Sequence, residues 1–160
     1  MTLRTQLTAL RYKTEYNSLL WFNKNNKKTQ KYQEEGLNIL RQKVDNLPDK
    51  IAFRPRFLKE SFCAKVFNKL YLFISKNNLK KPESERFDSL FHEIGHWLHF
   101  QNLPLKEDRK AVWAEIDKNK VKDAVSKRAV ENNEGLEFVA EVFKGLVKGE
   151  KYDNYIMEFY

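Results

Sequence analysis

The stretch FHEIGHWLHF, residues 91–100, contains all three histidines of the chain and one glutamate. On a helix that turns about 100° per residue, His92, His96 and His99 fall within about 60° of one another. The apolar residues of the same segment cluster on the opposite side: Phe87, Leu90, Ile94, Trp97 and Leu98. This pattern predicts a helix with one face in the core and a second face that carries the imidazoles.

His92 and His96 have the spacing that a zinc site needs, because side chains at i and i+4 lie one above the other and can reach one ion. Glu93 lies beside them, where it can take a proton from a zinc-bound water, which is the H-E-x-x-H arrangement. His99 lies about 10 Å along the axis from His92, so we expect it at the rim of the site or behind the ligands. The alternative is a solvated polar face that carries three histidines by chance.

A catalytic zinc needs a third protein ligand, and the chain has no further histidine. The best carboxylate lies in EGLEFVAEVFKGL, residues 134–146, where Glu137 and Glu141 fall about 40° apart on one helical face. We predict Glu137 as the ligand and Glu141 as the partner of a histidine N–H. Taken alone, however, this segment is more typical of an ordinary charged helix face. Two other acidic residues are rival candidates for the third ligand: Glu115 and Asp117.

The rest of the chain predicts an α+β fold in one domain of residues 1–160. Hydrophobic periodicity predicts helices at 4–22, 34–46, 82–102, 105–118 and 134–148. The helix at 34–46 should bury Leu37, Ile39, Leu40 and Val44. Segments 51–57 and 66–75 are rich in β-branched and aromatic residues, and predict a small sheet. Residues 23–31 are polar and predict a connector.

Composition restricts the class of protein. The chain is 41% hydrophobic, which is too apolar for a disordered chain. It has one cysteine, so no intrachain disulfide can form, and its start has no apolar segment of signal-peptide length. No apolar run is long enough to span a membrane. We therefore expect a cytoplasmic protein, in a bacterium or a phage-infected cell.

The formal net charge of +8 attracts anionic partners. The segment WFNKNNKKTQKY, residues 21–32, combines cations with rings that could stack on single-stranded nucleic acid. The residues concerned are Trp21, Phe22, Lys24, Lys27, Lys28, Lys31 and Tyr32. Nucleic-acid binding is therefore an alternative function, although a solvated loop with its aromatic rings turned to the core is the favoured interpretation.

FHEIGHWLH, followed about forty residues later by EFVAEVF, resembles the gluzincin branch of zinc metallopeptidases. It is most similar to the compact zincin domains of phage-encoded proteins and of lethal-factor-type proteases. The resemblance covers roughly residues 50–150. It implies a zincin-like core with a small mixed sheet and an active-site helix, to which residues 1–48 add a helical extension. It also implies an edge strand that aligns the substrate by β-addition, for which LYLFISKN, residues 70–77, is the candidate.

Carried over to this chain, the resemblance implies one zinc ion held by His92, His96 and Glu137, with Glu93 as general base. Glu141 would lie behind the ligands. The predicted function is a zinc-dependent metallopeptidase that hydrolyses a restricted protein or peptide substrate. A degenerate zincin that serves as an interaction module is a further alternative.

The chain departs from this pattern in one respect. Lethal-factor-type enzymes have a tyrosine shortly upstream of the third ligand that stabilises the oxyanion, and no tyrosine lies between His99 and Glu137. Tyr152 or Tyr155 of the aromatic tail are the candidate donors in its place. The sequence leaves the substrate, the cleavage preference and the oligomeric state open.

Overall fold

A computed structural model describes residues 27–45, 47–48, 51–54, 60–66 and 69–160. The helix predicted at 4–22 lies outside the described residues. The chain divides into two units, and the boundary between them falls between Leu90 and Phe91. The predicted single domain of residues 1–160, with an extension at 1–48 and a core at 50–150, stays a prediction.

Helix α1, Lys27–Arg41, begins and ends earlier than predicted, so residues 27–31 are helical and not part of a connector. Leu37 and Leu40 are buried, as predicted, but Ile39 is exposed and Val44 is only half-buried. The reason is geometric. Residues three apart share a helix face, whereas a residue two positions from Leu37 turns away from it.

Tyr32 of α1 is fully buried. Its hydroxyl donates a hydrogen bond of 2.9 Å to the backbone carbonyl of Arg86, and its ring lies edge-on to Phe53 at 5.7 Å between centroids. A buried ring cannot stack on a base, so the predicted single-strand surface of residues 21–32 lacks this aromatic. The lysines at 27, 28 and 31 are exposed on α1, and residues 21–26 lie outside the described part of the chain.

The sheet contains β1, Ala52–Arg54, β2, Phe62–Val66, and β3, Lys69–Ser75. The strand order is β1-β3-β2, with β1 parallel and β2 antiparallel to β3. The sheet is therefore mixed. Helices together with a small three-stranded sheet are compatible with the predicted α+β class.

The prediction that residues 70–77 form an edge strand is wrong. Phe73 of β3 pairs with Ala52 of β1 on one side and with Phe62 of β2 on the other, so β3 is the central strand of the described sheet and not an edge strand. Residues 76 and 77 belong to a 3₁₀ turn, Lys76–Lys80. A continuous apolar run such as LYLFI is typical of a strand with neighbours on both sides, and this explains the central position.

Helix α2, Asp88–Asn102, carries the three histidines. It begins six residues later than the helix predicted at 82–102, because a 3₁₀ turn, Glu83–Glu85, comes first. It ends at Asn102, two residues before Pro104. A proline disfavours the helical conformation of the residue that precedes it.

In the second unit, α2 is followed by α3, Lys106–Ala114, α4, Lys118–Ala124, α5, Leu136–Val147, and α6, Asn154–Phe159. A 3₁₀ turn, Arg128–Val130, precedes α5. The helix predicted at 105–118 is interrupted because the Asp117 side chain accepts hydrogen bonds from the backbone N–H groups of residues 119 and 120 and starts a new helix. Within the described ranges, no helix is long and apolar enough to cross a membrane.

One apolar cluster stabilises the second unit. Its buried members are Trp113, Ile116, Val121, Ala129, Phe138, Val142 and Ile156. The aromatic tail contributes Tyr152, Tyr155 and Phe159 to the edge of this cluster. The cluster fixes the 3₁₀ turn and α5 against each other, and both carry polar residues of the site described below.

Candidate metal centre

Helices α2 and α5 cross closely at Gly95 and Ala140. A Cβ atom at position 95 would lie 2.6 Å from Ala140 Cα, so a larger residue would force the backbones apart. His92 lies nearly one turn before Gly95, and Glu137 lies nearly one turn before Ala140. The crossing therefore brings this histidine and this glutamate side by side.

Three potential ligands converge at this crossing. His92 Nε2 is 3.2 Å from Glu137 Oε2, and His96 Nε2 is 3.3 Å from Glu137 Oε1. One ligand atom from each of the three residues lies within 4.8 Å of the others. Two atoms bound to one tetrahedral zinc are roughly 3.3 Å apart, given bonds of about 2.0–2.1 Å. The group could therefore hold a metal ion, and two imidazoles with one carboxylate suit several divalent transition metals, zinc among them.

The histidines do not lie on a solvated face. His92, His96 and His99 are 3%, 8% and 7% exposed, and Glu93 is 4% exposed. The other side of α2 is also covered, since Ile94 is fully buried. The alternative of a water-exposed histidine face therefore does not hold.

Glu141 lies behind the ligands and orients His92. Its Oε1 is 2.7 Å from His92 Nδ1, and its Oε2 accepts a hydrogen bond of 2.7 Å from Lys144 Nζ. Burial alone would raise the pKa of Glu141, but the hydrogen bonds with His92 and Lys144 lower it to about 2. A carboxylate can only accept, so Nδ1 carries the proton, and Nε2 of a neutral ring carries the lone pair that could bind a cation.

Glu93 has a very different environment. Burial raises the pKa of its carboxyl group, although the nearby His96 and His92 oppose the shift. Its Oε2 is buried and has no hydrogen-bond partner among the described residues. An unsatisfied buried polar atom costs about 1–3 kcal/mol, so its presence beside the ligands is a sign of a functional role.

Arg128 is a site residue that the sequence analysis missed. Its Nε donates a hydrogen bond of 2.8 Å to Glu137 Oε2, and its Nη2 is 3.2 Å from His92 Nε2. The residue begins the 3₁₀ turn before α5. Turn residues follow no hydrophobic period, and mixed charges such as those of AVSKRAVE, residues 124–131, are common on surfaces, so no sequence signal distinguished this arginine from the other basic residues.

His92 Nε2 has two competing partners, since Glu137 Oε2 and Arg128 Nη2 are both 3.2 Å away. Burial lowers the pKa of His92, but the hydrogen bonds with Glu137 and Glu141 raise it more, so it lies above its ordinary value. A protonated ring donates to Glu137, whereas a neutral ring accepts from Arg128. Only the neutral ring binds a metal, so metal binding and proton binding compete at this atom.

The carboxylate of Glu137 is well suited to bind a cation. Burial alone would raise its pKa, but hydrogen bonds with His92 and His96 hold the pKa well below its ordinary value. The group is therefore charged at neutral pH. A charged carboxylate and two imidazoles form a donor set with net negative charge, which favours a divalent cation.

His99 lies outside this cluster. It borders a cavity of about 200 Å³ within the second unit, together with Arg109, Trp113 and Phe138. Its Nδ1 is buried and has no hydrogen-bond partner in the described chain. Burial, with smaller contributions from Arg109 and His96, lowers the pKa of His99 to about 4, so the ring is neutral at pH 7.

The two tail tyrosines have other partners. Tyr152 donates a hydrogen bond of 2.9 Å to Glu150 Oε2, and the Tyr155 hydroxyl accepts one of 2.7 Å from the Asp117 backbone N–H. Neither hydroxyl hydrogen-bonds to a residue of the metal cluster in the part of the chain that the structure describes. The rival ligands Glu115 and Asp117 are exposed and do not belong to the cluster.

No protein-family model, curated protein or solved structure matches this chain. The resemblance to gluzincins therefore depends on its two motifs alone.

Proposed function

We propose that the chain is a zinc-dependent metallopeptidase of the gluzincin type, which hydrolyses peptide bonds in a restricted protein substrate. The observation that carries this proposal is the convergence of His92, His96 and Glu137 beside the buried, unpartnered carboxyl oxygen of Glu93. Without Glu93, the three ligands would suit a structural metal site equally well. A base beside three ligands, with a fourth position left for water, is the arrangement of a hydrolytic site.

His92, His96 and Glu137 would hold the zinc, which when bound lowers the pKa of water toward about 7 and polarises a carbonyl group. Glu93 takes a proton from the attacking water as the water oxygen bonds to the carbonyl carbon, while the C=O electron pair moves onto the carbonyl oxygen. Glu93 then gives that proton to the amide nitrogen. The electron pair on the carbonyl oxygen then re-forms the C=O bond as the C–N bond breaks, and an amine and a carboxylic acid leave. A raised pKa suits Glu93 to both proton transfers.

Two further features support this function and location. Glu141 holds His92 in the tautomer that a ligand needs, as partners behind the ligands of zinc enzymes do. The single cysteine is typical of proteins from a reducing compartment, which supports a cytoplasmic location. The burial of Tyr32 removes one of the rings on which the alternative of single-strand nucleic-acid binding depended.

The test compares the wild-type chain with Glu93→Gln, a substitution that keeps the size of the side chain. Metal content is measured by mass spectrometry, and cleavage is measured on a proteome-derived peptide library. We expect about one zinc per chain in both proteins, and cleavage only by the wild type. Glu158→Gln, which removes an exposed acid of α6, should behave as the wild type does.

The alternatives give different results in the same experiment. A chain that binds no zinc would contradict the proposed metal centre. A chain that binds zinc and cleaves no peptide would instead be an interaction module. Cleavage that persists in Glu93→Gln would assign the base to another residue.

A further inference from the structure

We propose that Arg128 is a catalytic residue, whose Nη2 group donates a hydrogen bond to the carbonyl oxygen of the scissile peptide bond, where negative charge develops. This inference rests on the proposed peptidase function. It answers the question raised by the missing upstream tyrosine, because Tyr152 donates its hydroxyl hydrogen to Glu150, and among the described residues neither Tyr152 nor Tyr155 hydrogen-bonds to the metal cluster, whereas Arg128 does.

The two hydrogen bonds of Arg128 differ in how they respond to a bound cation. Glu137 has two oxygens, of which Oε1 is near His96 and Oε2 accepts from Arg128 Nε. His92 Nε2 has a single lone pair, so a cation that takes it leaves Arg128 Nη2 without this acceptor. The Nε bond to Glu137 can persist, so the guanidinium group stays beside the ligands with a donor available.

The position of Arg128 suits contact with a substrate. Its neighbour Ala129 is buried in the apolar cluster of the second unit, which anchors the 3₁₀ turn. The Arg128 side chain itself is 53% exposed, so a peptide can reach it. A guanidinium group is charged at every physiological pH and carries five donors in a fixed plane. A donor held in place before the reaction stabilises a developing oxyanion without reorganisation.

A simpler role must be distinguished from this one. Arg128 could serve only as the counter-ion of Glu137, which it contacts at 2.8 Å. A counter-ion acts on the ligand, so its removal changes zinc affinity alone. An oxyanion donor acts on the substrate, so its removal lowers kcat and weakens the binding of anions at the metal, while zinc remains bound.

The experiment uses the full chain with Arg128→Gln, Arg128→Lys and the matched control Lys127→Gln. The control removes the same charge from the adjacent exposed residue. Zinc affinity is measured by competition with a chelator. Acetohydroxamate, a small anionic ligand of metals, is then titrated into the cobalt(II)-loaded proteins and followed by visible absorption. The third measurement is peptide turnover per bound zinc.

We expect Arg128→Gln to bind zinc as tightly as the wild type or more tightly, because the arginine and the ion are both cations. Its affinity for acetohydroxamate should fall about tenfold or more, through the loss of one hydrogen bond to a charged group. Its kcat should fall about 100-fold with little change in KM. Arg128→Lys should recover part of both losses, and Lys127→Gln should change neither.

Unchanged acetohydroxamate affinity and turnover in Arg128→Gln would overturn the inference, and so would a loss of zinc. The acetohydroxamate titration tests the inference even if no library peptide is cleaved. Failure of the metal centre itself is separate, because the wild type would then bind no zinc before any variant is compared.

Discussion

Glu93 and Glu141 are the same type of side chain, yet their surroundings change their pKa values in opposite directions. Burial without a partner for Oε2 raises the pKa of Glu93. Hydrogen bonds with His92 and Lys144 lower the pKa of Glu141 to about 2. A pair of carboxyl groups whose pKa values are moved apart allows one to transfer protons while the other stays charged. Glu93 has the first role in the proposed mechanism, and Glu141 the second.

His99 should make the stability of the protein sensitive to acid. Its pKa is about 4 in the folded protein, against about 6.5 in an unfolded chain. As the pH falls below 6.5, the unfolded state takes up a proton that the folded state does not, so stability is lost down to pH 4. The loss for this group is about 3 kcal/mol. His99→Gln, which cannot ionise, should remove that part of the loss.

The measurement is urea unfolding of both proteins between pH 7 and pH 4, with zinc chelated throughout. Because no metal is bound at any pH, the release of metal in acid cannot contribute to the measured loss of stability. An equal loss of stability in wild type and His99→Gln would contradict the low pKa of His99.

At the scale of secondary structure, the sequence predicted the elements that follow a regular period. The i, i+4 spacing of His92 and His96 placed both imidazoles on one face of a helix, and the spacing of Glu137 and Glu141 did the same on α5. These side chains meet in the structure. Arg128 was missed because its position depends on how a 3₁₀ turn packs on α5, which no local pattern encodes.

The errors in the sheet and in the helix lengths have a similar origin. Whether β3 is central or at an edge depends on its partners, and its own apolar run is compatible with both. Helix α4 has one fully buried residue, Val121, and so too weak a period to detect. Burial of His99 likewise depends on the residues that cover α2, so the helical period predicts the face on which His99 lies but not how deeply that face is buried.

The contact between Gly95 and Ala140 should control both packing and metal affinity. Gly95→Ala places a Cβ 2.6 Å from Ala140 Cα. The clash involves the backbone of α5, so it can be relieved only if the two helices move apart. Overpacking of this kind costs about 1–3 kcal/mol. We expect the free energy of unfolding to fall by about this amount, and zinc affinity to fall because the ligands on α2 and α5 move apart.

A suitable control is Gly36→Ala in α1, a glycine in the first unit. Its added Cβ would meet the side chains of Leu90 at 2.4 Å and Phe87 at 3.1 Å, and side chains shift more readily than the α5 backbone that Gly95 faces. Unfolding and zinc competition are measured for both variants. Unchanged zinc affinity in a folded Gly95→Ala protein would show that the crossing does not set the ligand geometry.

At the scale of the whole molecule, zinc should stabilise the second unit in particular, because all three ligands belong to it. A ligand that binds only the folded state at 100 times its Kd contributes about 2.7 kcal/mol. Hydrogen exchange followed by mass spectrometry should show slower exchange in α2 and α5 with zinc than with a chelator. Glu137→Gln should show a much smaller difference. Equal slowing in α1 and the sheet would contradict a metal centre confined to the second unit.

The crossing at Gly95 also affects how this chain can diverge over generations. Any side chain at this position disrupts the helix pair, so purifying selection for folding alone is enough to retain the glycine. The buried carboxyl group of Glu93 has the opposite effect, because an unpartnered polar atom lowers stability. In a distant descendant, a retained glycine would indicate only a preserved scaffold, whereas a retained glutamate at 93 would indicate that the proposed hydrolysis is still under selection.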